Sequence, residues 1–228
     1  MQAFPDVEHV VIDGASTDDT ARVVTNHGER VARFVSESDS GVYDAFNKGL
    51  KHCSGDVIGF LNSGDVYSGS NVLARIASEF SSRGVDAVFA DVAIVSAVDK
   101  ERVVRMYSSA RFEPRKIRGG FMPAHPTLFI RSDVYRRFGS YDPSYRIAGD
   151  FEMVARLFGK HRITYSYIPE VLVRMPRGGL SNNGLKSVRV ITREMLRGCA
   201  ANDIKTSTLR LLMRIPLKMA ELRFARMR

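Results

Sequence analysis

The chain has 228 residues and a mass of 25.5 kDa, with 44% hydrophobic and 26% charged residues. That composition excludes wholesale disorder and fibrous repeats, and the length suits one generous α/β domain or two small ones. The net charge of +9 is unevenly placed: eleven basic and three acidic residues between Lys186 and Arg228 give that stretch +8, leaving a nearly neutral body.

In the first two-thirds, β-branched runs alternate with helical patterns, as in parallel-sheet α/β domains. Val7 to Asp13 predicts a strand, after which Ser16 or Thr17 caps a helix to about Asn26. Val31 to Ser36 predicts a second strand and Val42 to His52 a helix. Asp56 to Leu61 is almost wholly apolar, the pattern of a strand buried on both faces. Asn71 to Ser82 predicts a helix and Ala87 to Val95 a strand. Further strands are expected at Val103 to Tyr107, Thr127 to Ile130, Ile163 to Ile168 and Val171 to Val173, with helices near Asp133 to Phe138 and Gly149 to Phe158. A Gly-rich loop from Arg177 to Gly184 then precedes two basic helical stretches, Leu185 to Cys199 and Ser207 to Arg228. The loop divides the chain into a body, 1–184, and a basic amphipathic tail, 185–228.

Ligands of open sheets lie outside the C-terminal ends of strands, so acids there are the first candidates. Asp13, with Ser16 nearby, either accepts hydrogen bonds from a base or ribose or takes part in helix capping. Asn62-Ser63-Gly64-Asp65 follows a strand and either holds a divalent cation together with diphosphate or forms a plain turn. In Asp39-Ser-Gly-Val-Tyr43-Asp44-Ala-Phe-Asn47-Lys48, helical spacing aligns Tyr43, Asn47 and Lys48, for a cleft-facing or a solvated face. Lys48 could counter a phosphate, while Asp39 and Asp44 could hold sugar hydroxyls. His125, before Pro126, is either a core histidine or a group at a leaving diphosphate. Asp150 opens a predicted helix, either as a capping acid or as a general base aimed into a cleft.

Taken together, VVIDGASTDDT, SESDSGVYDAFNKGLKHCSGDVIGFLNSGD and HPTLFIRSDVYRRFGSYDPSYRIAGDFEM resemble family 2 glycosyltransferases of the GT-A fold. They look particularly like the branch that builds bacterial surface polysaccharides, and the likeness runs from about Pro5 to Ser181. It implies a mostly parallel sheet flanked by helices that binds a nucleotide-diphosphate sugar. It also implies inverting transfer of that sugar, from a donor that is usually UDP-linked, to a hydroxyl of a saccharide or lipid-linked acceptor. Carried over residue by residue, it makes Asp13 and Ser16 the base-contacting pair and Asp39, Tyr43, Asp44, Asn47 and Lys48 the donor-site lining. Asp65 would bind Mg2+ or Mn2+, and Asp150 would be the catalytic base. Gly178, Gly179 and Ser181 fall in the acceptor-side loop, and Asp91 is a further acid on the strand after the metal motif.

Two departures from the family pattern stand out. Asn62 or Gly64 replaces a usual acid, so Asp65 alone supplies a carboxylate to the metal motif. The family also carries a strand and helix ahead of the segment that begins here at Met1, so the strand ending at Asp13 is expected to have an unpaired edge. The alternative reading on that ground is a non-catalytic remnant.

Cys53 and Cys199 are too few and too far apart for a disulfide framework or zinc site, which fits a reducing cytoplasm. No apolar run approaches the roughly 18 residues of a membrane span, and Asp6 and Glu8 stand where a signal peptide would be basic or apolar. In the tail, Leu209, Leu212, Met213, Leu217 and Leu222 interleave with Arg210, Arg214, Lys218 and Arg223. Such a stretch either lies on the cytosolic membrane face near a lipid-linked acceptor or packs on the body with a solvated basic side. A basic nucleic-acid-binding protein is the remaining alternative; the neutral body, absence of Trp and lack of an aromatic-basic motif argue against it.

Overall fold

The computed structural model describes residues 2–28, 30–178 and 184–214. Strand β5 (Ala87–Val95) is its centre, and its alternating residues feed two cores. Ala87 and Phe89 join a large cluster that includes Ile130, Phe151, Phe158, Met195 and Leu211. Val88 and Ala90 pack instead with Val72, Ile76 and Phe80 of helix α3 (Val72–Arg83). The two-residue period of a strand thus puts helices on both faces of the sheet.

The main sheet runs β3 (Val57–Gly59), β7 (Phe129–Arg131), β5, β8 (Tyr165–Pro176), β4 (Val66–Tyr67), with β6 (Val103–Tyr107) also paired to β5. Its α/β class and flanking helices are as expected, but the mostly parallel sheet is not. Within it only β5–β8 is parallel; β3–β7, β5–β7, β5–β6 and β4–β8 are antiparallel. The reason is local: β6 returns from β5 through a short connection, and β7 arrives through 3-10 turns without a crossover helix.

A separate parallel pair, β1 (His9–Asp13) and β2 (Val31–Ser36), is joined through helix α1 (Thr20–His27). The other edge of β1 has no strand partner among the described residues, and β3 likewise ends the main sheet. Helix α2 (Val42–His52) spans the two parts: a Cβ on its Gly49 would lie 3.6 Å from Ile12 and 3.9 Å from Phe60.

Several elements differ in extent from the sequence pattern. The Asp56 to Leu61 run yields only the three-residue β3, half-buried, and Leu61 is exposed; β5 is the strand covered on both faces. The two runs at Ile163–Ile168 and Val171–Val173 join through Pro169 into β8. After helix α4 (Ser132–Phe138), helix α5 (Gly149–Val154) continues as a π-helical turn, Ala155–Lys160. Helices α6 (Gly184–Ala201) and α7 (Thr208–Leu212) contribute Met195, Cys199 and Leu211 to the same core as Phe151. The expected amphipathic stretch beyond Arg214 lies outside the described residues. Among the described residues, no helix is long and apolar enough to cross a membrane.

Candidate active site

Asp13 closes β1 and is 6% exposed. Its carboxylate accepts from the Ser16 backbone N–H (3.0 Å), the Ser16 hydroxyl (2.5 Å) and the Ser36 hydroxyl (2.7 Å). The Ser16 and Ser36 hydroxyls hold its pKa below the usual carboxylate range, overcoming the opposing effect of burial. Ala15 adopts a left-handed backbone, φ +59°, to make this turn, and α1 starts only at Thr20. Ser16 therefore braces Asp13 and does not cap the helix. Gly14 is required by a close approach, since a Cβ there would sit 2.5 Å from an Asp39 carboxylate oxygen. The β1 tip and the loop after β2 are thereby packed together.

That loop leads into α2 through Gly41, φ +137°. Asp44, in the first turn, accepts from the Ser40 N–H (3.0 Å), and Asp39 accepts from the Gly41 N–H (3.0 Å). Lys48 donates to the Ser38 carbonyl (2.7 Å) and pairs with Glu37 (3.1 Å) and Asp44 (3.7 Å). Desolvation works against its charge, yet the Glu37, Asp44 and Asp39 carboxylates raise its pKa overall. A phosphate approaching Lys48 competes with this cluster.

The other face of α2 builds an aromatic floor. Tyr43 stacks on Tyr141 with ring centroids 5.8 Å apart, and Phe46 stacks on His125 at 5.4 Å and packs on Phe60 at 4.5 Å. Asn47 donates to the Tyr141 carbonyl (2.8 Å) and accepts from its N–H (3.0 Å), so its amide clamps a loop and is not an open donor-site group. His125 shares a 2.8 Å hydrogen bond with the Tyr141 hydroxyl; burial pushes its pKa down, against the pull of Asp150. His125 thus sits in an aromatic cluster with Phe46, Phe60 and Tyr141.

Asp150 stands in the first turn of α5, where Oδ1 accepts from the Phe151 N–H (2.8 Å) and lies 3.4 Å from the Tyr43 hydroxyl. That hydroxyl donates to the Ile147 carbonyl at 2.6 Å. Burial raises the Asp150 pKa, opposed by His125, the Phe151 N–H and Tyr43. A carboxyl whose pKa is raised is a better proton acceptor than an ordinary one, the property a general base uses. Gly149 is again a contact requirement, because a Cβ there would reach within 2.8 Å of the Tyr43 ring.

Asp65 is 8% exposed, one of its oxygens has no partner, and burial pushes its pKa up to about 6 despite hydrogen bonding from Asn62. It follows Gly64, φ +90°, on the turn into β4. No cluster of three or more His, Cys, Asp or Glu suited to a metal occurs among the described residues. An orphaned buried carboxylate oxygen nonetheless fits a hard divalent cation that takes its other ligands from water and diphosphate.

The remaining candidates divide. Asp91 is occupied by the scaffold: both oxygens accept from the Tyr167 hydroxyl (3.0 Å each), and one also accepts from the Ser109 N–H (2.7 Å). These bonds tie the Asp91 carboxylate to β8 and to the chain after β6. Gly178 has a left-handed backbone, φ +151°, whereas Gly179 and Ser181 lie outside the described residues. Helix α2 thus carries Asp44 and Lys48 on one face and, on another, Tyr43, whose hydroxyl lies 3.4 Å from Asp150; the loop ahead of it sets Asp39 beside Gly14. Phe60 connects the same aromatic floor to the chain leading to Asp65.

Sequence patterns missed two supports. Glu194, on α6, accepts from the N–H groups of Arg146 (2.8 Å), Ile147 (2.9 Å) and Ala148 (2.8 Å), fixing the loop just before Asp150. Its one available signal was an isolated acid in a basic stretch. Arg156 pairs with buried Glu152 (3.1 Å) and donates to the Phe138, Gly139 and Ser140 carbonyls, which orders the approach to Tyr141.

Comparison with known proteins places the chain in a family and a fold. Residues 1–138 match the model of glycosyl transferase family 2. An uncharacterised glycosyltransferase of Mycobacterium tuberculosis is 34% identical over 154 residues, covering 66% of this chain and 56% of the relative. A PGL/p-HBAD biosynthesis glycosyltransferase of Mycobacterium bovis is 27% identical over 202 residues, covering 86% of this chain and 73% of its own. Among solved structures, S. aureus TarS in complex with UDP-GlcNAc aligns with a TM-score of 0.65 at 19% identity, covering 90% of this chain and 61% of that one. The mannosyltransferase PcManGT from Pyrobaculum calidifontis, in complex with GDP-Man and Mn2+, aligns at 0.61 and 19% identity over 96% of this chain and 64% of that one. The chain thus spans little more than half the length of the first of these relatives, and its fold is the one these solved transferases share. It belongs to glycosyl transferase family 2.

Proposed function

We propose that the protein transfers a glycosyl group, with inversion, from a nucleotide-diphosphate sugar to a hydroxyl of a saccharide or lipid-linked acceptor in surface-polysaccharide synthesis. The observation that carries this reading is Asp150: a carboxyl raised by burial at the start of a helix, 3.4 Å from the hydroxyl of Tyr43 on α2. An acceptor hydroxyl is a weak nucleophile at neutral pH, and Asp150 would take its proton as the glycosidic bond forms, a contribution of about 10²–10⁴-fold. Tyr43 and the Phe151 N–H keep Oδ1 aimed while leaving the second oxygen for the incoming proton.

Asp13, with Ser16, forms the base-contacting corner, and Asp39, Tyr43, Asp44, Asn47 and Lys48 form or brace the donor wall. UDP is the favoured nucleotide: the TarS structure contains UDP-GlcNAc, although the PcManGT complex contains GDP-Man. Asp65 would hold Mg2+ or Mn2+, which when bound supplies electrostatic stabilisation to the departing diphosphate. The M. bovis relative, described by its part in PGL/p-HBAD biosynthesis, supports a glycolipid-type acceptor. The expected setting is the cytoplasm or the cytosolic membrane face, with a further contact through the basic segment 185–228.

Incubation with UDP- and GDP-linked sugars, followed by quantification of released nucleoside diphosphate, tests the donor reading. Release from one nucleotide class, dependent on Asp150, is the expected result. Equal background release from every donor by wild type and Asp150→Asn would remove the proposal.

A further inference from the structure

Away from the Asp150 site, two adjoining grooves of about 390 and 570 Å³ meet at Arg115 and Arg118. The first is closed by Lys116, Phe121 and Arg210, the second by Arg162, Ile163 and Lys205. Glu113, just ahead of the 114–119 turn, pairs with Arg115 and, at 3.0 Å, with Lys116. Arg118, Arg162, Lys205 and Arg210 are exposed and pair with no acid among the described residues. Beneath them Arg214 is only 7% exposed, and its Nη1 would lie 3.5 Å from a Cβ on Gly120. Arg162 takes a left-handed backbone, φ +52°, where the chain closes off the 155–160 helical turn, with the Ile163 N–H donating to the Leu157 carbonyl at 3.1 Å. So much unneutralised charge on one face calls for an anionic partner.

The apolar groups beside this charge decide its class. Leu209 is 72% exposed, Met213 59% and Phe121 36%, with Leu209 and Met213 one turn apart and Arg210 between them. A soluble phosphate would leave those side chains in water, and a nucleic acid would gain little from aliphatic ones. A bilayer surface accommodates both, with headgroup charge against the guanidinium groups and the interfacial layer against Leu and Met.

We propose that this face, formed by residues 114–121, 162 and 205–213, docks the protein on an anionic lipid bilayer. Gly159 lines the second groove, and the helical run from Gly149 connects it to Asp150, nine residues away and so about 13 Å along the helix at ~1.5 Å per residue. That separation would let a lipid-linked acceptor present its sugar to Asp150 while its chain remains in the membrane. The proposal rests on the lipid-linked-acceptor reading for its purpose, but not for its test, because vesicle binding requires neither donor nor acceptor.

The test is co-sedimentation of the full chain with phosphatidylcholine vesicles, with and without phosphatidylglycerol. Wild type is expected to pellet with the anionic vesicles and to be released by salt. Arg118→Glu/Arg210→Glu should lower partitioning by at least about 25-fold, at roughly fivefold per charge. Leu209→Ser/Met213→Ser should weaken binding that persists at high salt, and both variants should retain wild-type nucleoside diphosphate release. Equal pelleting of wild type and the charge-reversed variant would overturn the proposal, as would tighter variant-sensitive binding to heparin than to anionic vesicles. Loss of transfer with vesicle binding intact would count against the transferase reading alone.

Discussion

Asp13 and Asp65 are almost equally hidden, at 6% and 8% exposure, yet their carboxyl pKa values are shifted in opposite directions. Asp13 accepts three hydrogen bonds at the end of β1 and has a depressed pKa. Asp65, on the turn between β3 and β4, keeps an unpartnered oxygen and is pushed up to about 6. The two shifts have separate causes: serine hydroxyls gathered around Asp13, and a desolvation of Asp65 that hydrogen bonding from Asn62 does not offset. The β1–β2 tip is a finished polar site that can meet a ligand as it stands. Under the proposed function, an incoming cation would complete the β3–β4 turn at the unpartnered Asp65 oxygen.

Asp150 shares the raised state of Asp65 but has an aromatic floor and a helix start behind it, so its substitution should have the largest effect. Asp150→Asn should lower transfer about 10²–10⁴-fold while nucleotide binding, followed by calorimetry, stays near wild type. Unchanged turnover would break the distinction between a raised carboxyl that reacts and one that binds metal.

Asp65→Asn tests the other raised acid. Its folded pKa of about 6 lies above the ordinary 3.8, so the ionised form is disfavoured in the folded state. Stability linked to this group is retained below about pH 3.8 and lost as pH rises to about 6, a cost of about 3 kcal/mol above that pH at 1.36 kcal/mol per unit. Asp65→Asn should therefore raise Tm at pH 8 and leave it nearly unchanged at pH 3.5. Thermal shift with Mn2+ plus nucleoside diphosphate should stabilise wild type and not the variant.

The opposite sign is expected at β1. Asp13→Asn should destabilise by about 1–3 kcal/mol at pH 7, because a charge-assisted acceptor is replaced by an amide facing hydroxyl donors. With a depressed folded pKa, the wild-type advantage is present above the ordinary carboxylate pKa and shrinks as pH falls through the folded value. Urea melts at pH 7 and pH 3 would measure both ends. A variant as stable as wild type at pH 7 would show that the three donors are satisfied equally well by water.

The smallest expected effect is remote from both acids. Glu194→Gln leaves an amide facing the N–H groups of residues 146–148 and should cost about 1 kcal/mol. Transfer should fall several-fold while donor affinity holds, since the loop it fixes precedes Asp150 and lies away from the β1 tip. Equal losses in donor binding and turnover would show that the two regions are mechanically coupled.

Local patterns were legible where a residue's environment is set by its neighbours in sequence. The bounds of α2 at Val42 and His52 and of β5 at Ala87 and Val95 coincide with the periodicity, because each carries a continuous apolar face or run. Asp56 to Leu61 misled for the same reason: its apolar letters do not reveal that only Val57 to Gly59 has a partner strand. The join of two runs across Pro169 and the antiparallel return of β7 depend on pairing with distant β5, which no local window contains.

The candidate site shows the same division. Asp13, Asp65 and Asp150 could be singled out from position alone, since acids after strands and at helix starts have few local explanations. Tyr141 and Glu194 could not, because their importance comes from partners 94 and about 48 residues away. Likewise, Asp91 and Asn47 look like open ligands in sequence, and only folding supplies the Tyr167 hydroxyl and the Tyr141 backbone that occupy them.

By itself, the sequence determined the family, the α/β class and the order of the chemistry-bearing residues, because these are written in local strings and periodicity. Tertiary structure alone decided which acids are braced, which is left with an orphaned oxygen, and which face carries unpaired basic groups. The physical reason is that hydrogen-bond satisfaction and desolvation are properties of the groups brought together across the fold, not of the residue that carries the charge.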